Sequence, residues 1–206
     1  MLLNDDDNEE FNPSTISLVD LLLRVDSTTE GLTVKQLKKK KATRGNAMAS
    51  MPRPTEMPEW MCCLLPCLDA THEILEYKRC IAQTALVKRA GRDWMTMEVS
   101  GLLVGDLIKV EAGEIVPADA RVVRSQGLCV LDTTDVCGGG TYTVNEDEGG
   151  FENYEYSPNL AFAGYKCDSG EFTAIVVATG SSTMLGKLIK RRMWPKLRNE
   201  KDHVRI

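Results

Sequence analysis

The sequence predicts a mainly β, α+β protein: a barrel-like or jelly-roll-like domain with a small helical extension in front. Three observations lead there. Between residues 84 and 192, short stretches rich in β-branched residues recur, bounded by Gly, Pro or Asp, the mark of barrels and sandwiches built from many short strands. One helix-like stretch, "SSTMLGKLIKRRM", closes the series. Ahead of it, residues 12–46 carry helix signals but too few apolar side chains for a core of their own.

Composition limits the function classes. The chain has 206 residues, 43% hydrophobic and 27% charged, as a globular protein does. Its net charge of −5 argues against a nucleic-acid binder, which needs surplus Lys and Arg to neutralise phosphates. Seven cysteines, an odd number, follow the acidic start "MLLNDDDNEE", where a secretory leader would be basic. The expected setting is therefore reducing, intracellular and soluble: the cytoplasm, with cytoskeleton or cilium as candidate structures. No apolar run reaches the ~18 residues that cross a bilayer.

Five segments follow from shifts in composition. Residues 1–11 form an acidic tail. Within 12–46, "NPSTISLVDLLLRV" predicts a helix capped by Asn12 or Ser14, with Ile16, Val19, Leu22 and Leu23 on one face. A second helix, "LTVKQLKKKK", is expected after Thr33 as its cap. Its lysines, Lys38 to Lys41, suit a helix C-terminus, where cations meet the dipole.

Residues 47–70 are a linker in which Pro52, Pro54, Pro58 and Pro66 forbid a long helix. Its apolar piece "WMCCLLPCL" makes Trp60, Met61, Leu64, Leu65 and Leu68 candidate partner contacts, with Trp194 added from the far end of the chain. Contact with a membrane surface and packing of that piece on the main domain as an extended arm are the other readings. Cys62, Cys63, Cys67 and His72 lack the matched pairs of a zinc site, so no metal is expected.

Residues 71–192 form the main domain, starting with a helix in "DATHEILEYKRC" capped by Asp69 or Thr71. "TALVKRAGRDWMTMEV" predicts a hairpin turning at Ala90-Gly91-Arg92. Gly113, Pro117 and Gly127 punctuate the next short strands. A second hairpin is expected to turn at Asp168-Ser169-Gly170, and Ser181 or Ser182 to cap the closing helix. Residues 193–206 are a basic tail.

Several motifs, in order, resemble a known family. "LLVGDLIKVEAGEIVPADARVV", "VLDTTDVCGGG" and "FAGYKCDSGEFTAIVVATGSSTMLGKL" are similar to the actuator-domain signatures of P-type cation-transporting ATPases, with plasma-membrane proton pumps the nearest branch. "TTEGLTVKQLKKKKATRGNAM" resembles the segment before that family's first transmembrane helix. The resemblance runs from about residue 15 to 190. It implies a distorted jelly-roll, or double-stranded β-helix, held by Gly105, Asp106, Pro117, Asp119, Arg121, Asp132, Gly164, Gly180 and Gly186. Asp119 and Arg121, two apart, are expected to pair with each other at the surface or with strand-end backbone.

In that family a Thr-Gly-Glu-Ser loop does the chemistry: its glutamate positions the water that hydrolyses an aspartyl phosphate, because attack on phosphorus needs a base for the water proton. The matching positions here are Cys137, Gly138, Gly139 and Gly140, so Gly139 replaces the glutamate. Glu146 or Glu148 would stand in only after a displacement of several residues, which the geometry of such chemistry does not tolerate. A phosphate cradle is not expected either, since "CGGGTYTVN" leads into β-structure and supplies no lysine. The phosphorylated Asp-Lys-Thr-Gly-Thr sequence does not occur in the 206 residues. The resemblance thus implies a pseudo-enzyme with no cofactor, metal or small-molecule substrate. Its expected work is structural: binding protein partners in a larger cytoskeletal, ciliary or organellar assembly. The alternative is a regulator, or truncated member, of the P-type proton and cation pumps.

Overall fold

The computed structural model describes residues 12–44, 50–54, 72–89, 92–146 and 157–194. The acidic tail, the apolar segment with Trp60, Met61, Leu64, Leu65 and Leu68, the turn at Ala90-Gly91, Glu148 and the basic tail beyond Trp194 lie outside the described residues.

Seven antiparallel strands form one sheet among the described residues: β1 Thr84–Lys88, β2 Met95–Glu98, β3 Leu107–Glu111, β4 Asp119–Asp132, β5 Thr141–Val144, β6 Leu160–Ala161 and β7 Lys166–Ala178. The order is β2-β1-β3-β7-β4-β5, with β6 on β4. The predicted β1–β2 hairpin is present, pairing Leu86 with Thr96. The predicted hairpin at Asp168-Ser169-Gly170 is not. β7 runs straight through those residues, and β4 likewise runs through Gly127. The two long strands pair along their length with register shifts, one of them between Gln126 and Val130. Gly127 and Gly170, at φ 74° and 76°, lie in that stretch. The turn-like residues therefore build facing bulges that bend the strands rather than reversing them.

Period-two alternation sends side chains of β3 and β7 to opposite faces. Ile108, Val110, Phe172, Ala174 and Val176 enter the main core with Phe162, Leu131 and Leu185. Leu107 and Ile175 point the other way and meet Leu21 of α1, Leu18–Arg24, and Val25, its C-cap. The N-terminal piece thus docks on the back of the sheet.

Sequence and structure differ on that helix. Ser17, not Asn12 or Ser14, is the cap: its hydroxyl oxygen accepts the Asp20 amide at 3.1 Å. Asn12 instead accepts the amide and hydroxyl of Ser14 in a turn. Leu21 is fully buried, whereas Val19 and Leu23 are 66% and 74% exposed. Apolar residues surround the helix, so periodicity could not choose the face; contact with Leu107 and Ile175 did.

α1 ends on Asp26, held at φ 48°, with Asp26 N–H on the Leu23 carbonyl and Ser27 N–H on the Leu22 carbonyl, a left-handed C-terminal cap. The Asp26 carboxylate accepts from Lys39 at 2.8 Å and Gln36 at 3.1 Å, tying α1 to α2, Val34–Arg44. α2 begins as predicted: Thr33 and Gln36 cap each other.

α3 spans His72–Cys80, α4 Thr134–Cys137 and α5 Met184–Lys190. The cap of α5 is Thr183, one residue beyond the expected serines; its hydroxyl donates to the Gly180 carbonyl and accepts the Gly186 amide. A Cβ on Gly186 would stand 2.5 Å from the Gly180 carbonyl oxygen, which explains glycine there. Trp194 is also corrected. It is 3% exposed, donates Nε1–H to the Asp135 carbonyl at 2.9 Å and meets Tyr77 edge to face, so it closes the chain's own core. No helix among the described residues is long and apolar enough to cross a membrane.

The observed face of α1 makes a direct prediction. Leu21→Ala should lower stability in urea by about 2–4 kcal/mol. Leu23→Ala should change it by less than about 0.5 kcal/mol.

Candidate functional site

The loop between β4 and β5 is built from its ends inward. Asp132, the last residue of β4, accepts both the amide and the hydroxyl of Thr134 through one oxygen, which starts the single turn of α4. Thr133 donates its amide and its hydroxyl to the Gly140 carbonyl, at 3.0 and 2.9 Å, and so clasps the base of the loop.

Between these anchors Gly138, Gly139 and Gly140 take φ values of 83°, 127° and 119°. Three positive φ values in succession suit glycine and resist any other residue. A Cβ on Gly139 would meet nothing within 4 Å. Space is therefore available where the resemblance puts a glutamate; the backbone conformation excludes it.

Cys137 turns inward. Its Sγ is 3.2 Å from the Tyr165 hydroxyl, and Tyr142 and Phe162 flank that ring edge to face. Burial, with Cys137 adding, raises the Tyr165 pKa above the ordinary tyrosine value. Burial does the same for Tyr142, whose hydroxyl donates to the Leu160 carbonyl at 2.7 Å. These phenols stay neutral and serve as core. Glu146 is exposed beyond the end of β5. Among the described residues no group of three His, Cys, Asp or Glu is placed to hold a metal. A cleft of about 570 Å³ lies elsewhere, between Tyr77, Pro117 and Gly164, and no residue of the glycine loop lines it.

The remaining motif residues hold the fold. Asp106 is fully buried; its carboxylate accepts the Leu103 amide at 2.8 Å and both Nε and Nη2 of Arg89 at 2.7 Å. Such a two-pronged pair is geometrically specific. Sequence reasoning missed Arg89, which follows β1 and meets Asp106 through the β1–β3 pairing of Lys88 with Leu107, a contact with no local signal.

Asp119 and Arg121 are neither at the surface nor paired with each other. Asp119 accepts the Ala163 amide at 2.9 Å and the Met184 amide at 2.7 Å, clasping the turn before Gly164 to the start of α5. Arg121 is 1% exposed and donates Nη1–H to the carbonyls of Pro13 and Ser14. Asn159 donates to Ser14 as well, at 3.1 Å. The motif arginine thus fixes the N-terminal segment to the back of the sheet. Gly164 sits where a Cβ would come within 2.8 Å of Leu185 and 2.9 Å of Val136, so α4 and α5 close over it.

Two predictions follow from these anchors. Burial pushes the Asp119 pKa up to about 7, against the opposing pull of the two amides and Lys187. The folded chain then holds a proton that the unfolded chain has already released, so this residue's contribution to stability falls as pH rises from about 4 to about 7. Asp119→Asn should abolish that slope in denaturation curves taken across the window, a change on the order of a few kcal/mol. Separately, Asp106→Asn leaves the Arg89 cation buried without its counterion and should cost about 3–5 kcal/mol by the same measurement.

Comparison with known proteins agrees with this geometry. A family model described as the P-type ATPase actuator domain matches residues 79–192, more than half of the chain. Potassium-transporting ATPase alpha chain 1 of Xenopus laevis is 33% identical over 119 residues, which is 58% of this chain and 11% of that protein. Sodium/potassium-transporting ATPase subunit alpha-2 of Bos taurus is 34% identical over 112 residues, 54% of this chain and again 11% of the relative. The match therefore spans about a tenth of the length of these relatives. A solved zinc-transporting PIB-type ATPase in its E2.Pi state overlaps 56% of this chain and 17% of its own, at a TM-score of 0.40 and 17% identity; that likeness carries no weight here. With the profile match and the buried motif residues in agreement, the chain belongs to the family of P-type ATPase actuator domains.

Proposed function

We propose that this chain is a catalytically inactive actuator-like module that works by binding protein partners within a larger assembly. One observation carries the reading: Gly139 occupies the position of the hydrolytic glutamate, in a backbone conformation that resists a side chain. The carboxylates that flank the loop do not replace it. Asp135 is fixed on the turn of α4, Asp132 is engaged by Thr134, and Glu146 lies beyond β5. Without a base at the loop tip, water is not activated for attack on a phosphoryl group. The buried motif residues, by contrast, hold the fold, which is what a binding module has to keep.

The transport activities in the relatives' names are not proposed for this chain. Purified chain should show no vanadate-sensitive ATP hydrolysis and no phosphoenzyme. Gly139→Glu should restore neither, because its φ of 127° strains the new side chain and the sequence carries no Asp-Lys-Thr-Gly-Thr acceptor. Turnover by either protein overturns the proposal. Proximity labelling should recover a stable set of protein neighbours; an intact P-type ATPase among them would favour the regulator reading over a purely structural one.

A further inference from the structure

The N-terminal helices meet the β-domain along a seam with very little free space. The turn at 103–106 stitches to β7, with Gly105 N–H on the Val176 carbonyl and Val176 N–H on that of Asp106. On its outer side this turn faces the end of α1. A Cβ on Gly105 would stand 3.0 Å from Leu32 Cδ2, 3.1 Å from Ser27 Cβ and 3.2 Å from the Val25 carbonyl oxygen. Gly31 is tighter still, 2.2 Å from the Lys88 carbonyl oxygen by the same measure. The Ser27 hydroxyl donates to the Gly105 carbonyl across this seam.

Ser27 also follows a recognisable address. Arg24 stands three residues before it and Leu22 five before it, in "LLRVDS". Kinases that read a basic residue at that spacing bind their substrate segment extended. Here Leu22 to Arg24 are helical and the Ser27 amide bonds back to the Leu22 carbonyl, so the end of α1 must unwind before the segment is read.

We propose that Ser27 is a phosphorylation site, and that its modification releases α1 and α2 from the β-domain. A protein kinase transfers the γ-phosphoryl group of ATP: the bond from Ser27 Oγ to phosphorus forms, the bond to the β-phosphate oxygen breaks, ADP leaves, and the hydroxyl proton passes to the kinase base. Three consequences follow at the seam. The donor to Gly105 is gone, and phosphate oxygens face a carbonyl oxygen instead. A group far larger than a methyl is added beside Gly105, where even a methyl would stand 3.0–3.2 Å from its neighbours. A charge of about −2 arrives beside the buried Asp106. The neighbouring cations are engaged: Lys40 on the Val25 carbonyl, Lys39 on Asp26, Lys88 on Glu30 and Arg89 on Asp106. Opening exposes Leu21, Val25, Leu107 and Ile175 to water. Ser27 is half-buried, so the kinase meets it in transient openings and phosphorylation then holds the open state. This inference is independent of whether the glycine loop is inert.

The test uses the full chain and a peptide covering residues 18–34, each treated with ATP, Mg²⁺ and activated calmodulin-dependent kinase II, which reads an arginine three residues and an apolar residue five residues before its serine. Mass spectrometry should place phosphate on Ser27 in both. Hydrogen exchange should rise at least tenfold for amides in residues 18–37 of the phosphorylated chain, while residues 107–111 and 172–176 stay protected. Ser27→Glu should reproduce the rise without kinase, and Ser27→Ala should give a smaller one. No phosphate on Ser27, phosphate only on Thr28 or Thr29, or a phosphorylated chain with unchanged or slower exchange would each overturn the proposal.

Discussion

The structure depends on burying both faces of the sheet formed by β3, β7 and β4. A sheet of this kind exposes one face unless something covers it. Here the front takes Phe172, Ala174 and Val176 into the main core. The back, with Leu107 and Ile175, is covered by Leu21 and Val25. Arg121 contributes to the same closure from a polar direction, because its guanidinium holds the Pro13 and Ser14 carbonyls over the back of β4. Helices that cannot form a core alone thus become part of one. The β-domain in turn gains a cover for strands that would otherwise present Leu107 and Ile175 to water.

This arrangement explains what the family's motif residues do in this chain. Asp106 organises the 103–106 turn and neutralises Arg89; Asp119 clasps two chain segments; Arg121 anchors a third. Each is buried, so removing one leaves unmet hydrogen bonds or an unpaired charge inside the protein. The loop tip has no such tie. A Cβ on Gly139 would meet nothing within 4 Å, so packing does not fix the residue there. Packing therefore constrains the anchors and leaves the loop tip unconstrained.

Local signals were legible without coordinates. The β1–β2 hairpin, the Thr33–Gln36 cap and the closing helix follow from residues within a few positions of one another. The glycine run was legible as a loop, but its succession of positive φ values was not read from the sequence. Less was visible in "CDSGEF", whose turn-like residues form a bulge. Whether such a stretch reverses or continues depends on the strand beside it, and that strand lies about forty residues away in β4.

The sequence by itself therefore determined most of the element types, the Thr33–Gln36 cap and the family motifs. The tertiary structure alone decided which side of α1 is buried, that Trp194 packs inward on Asp135, and that Arg89 answers Asp106 while Arg121 reaches back to Pro13 and Ser14. The reason is one of range. Capping and turn energies act between neighbours in the chain, whereas burial and ion pairing act between neighbours in space. A residue's sequence context carries no record of what folding will bring against it.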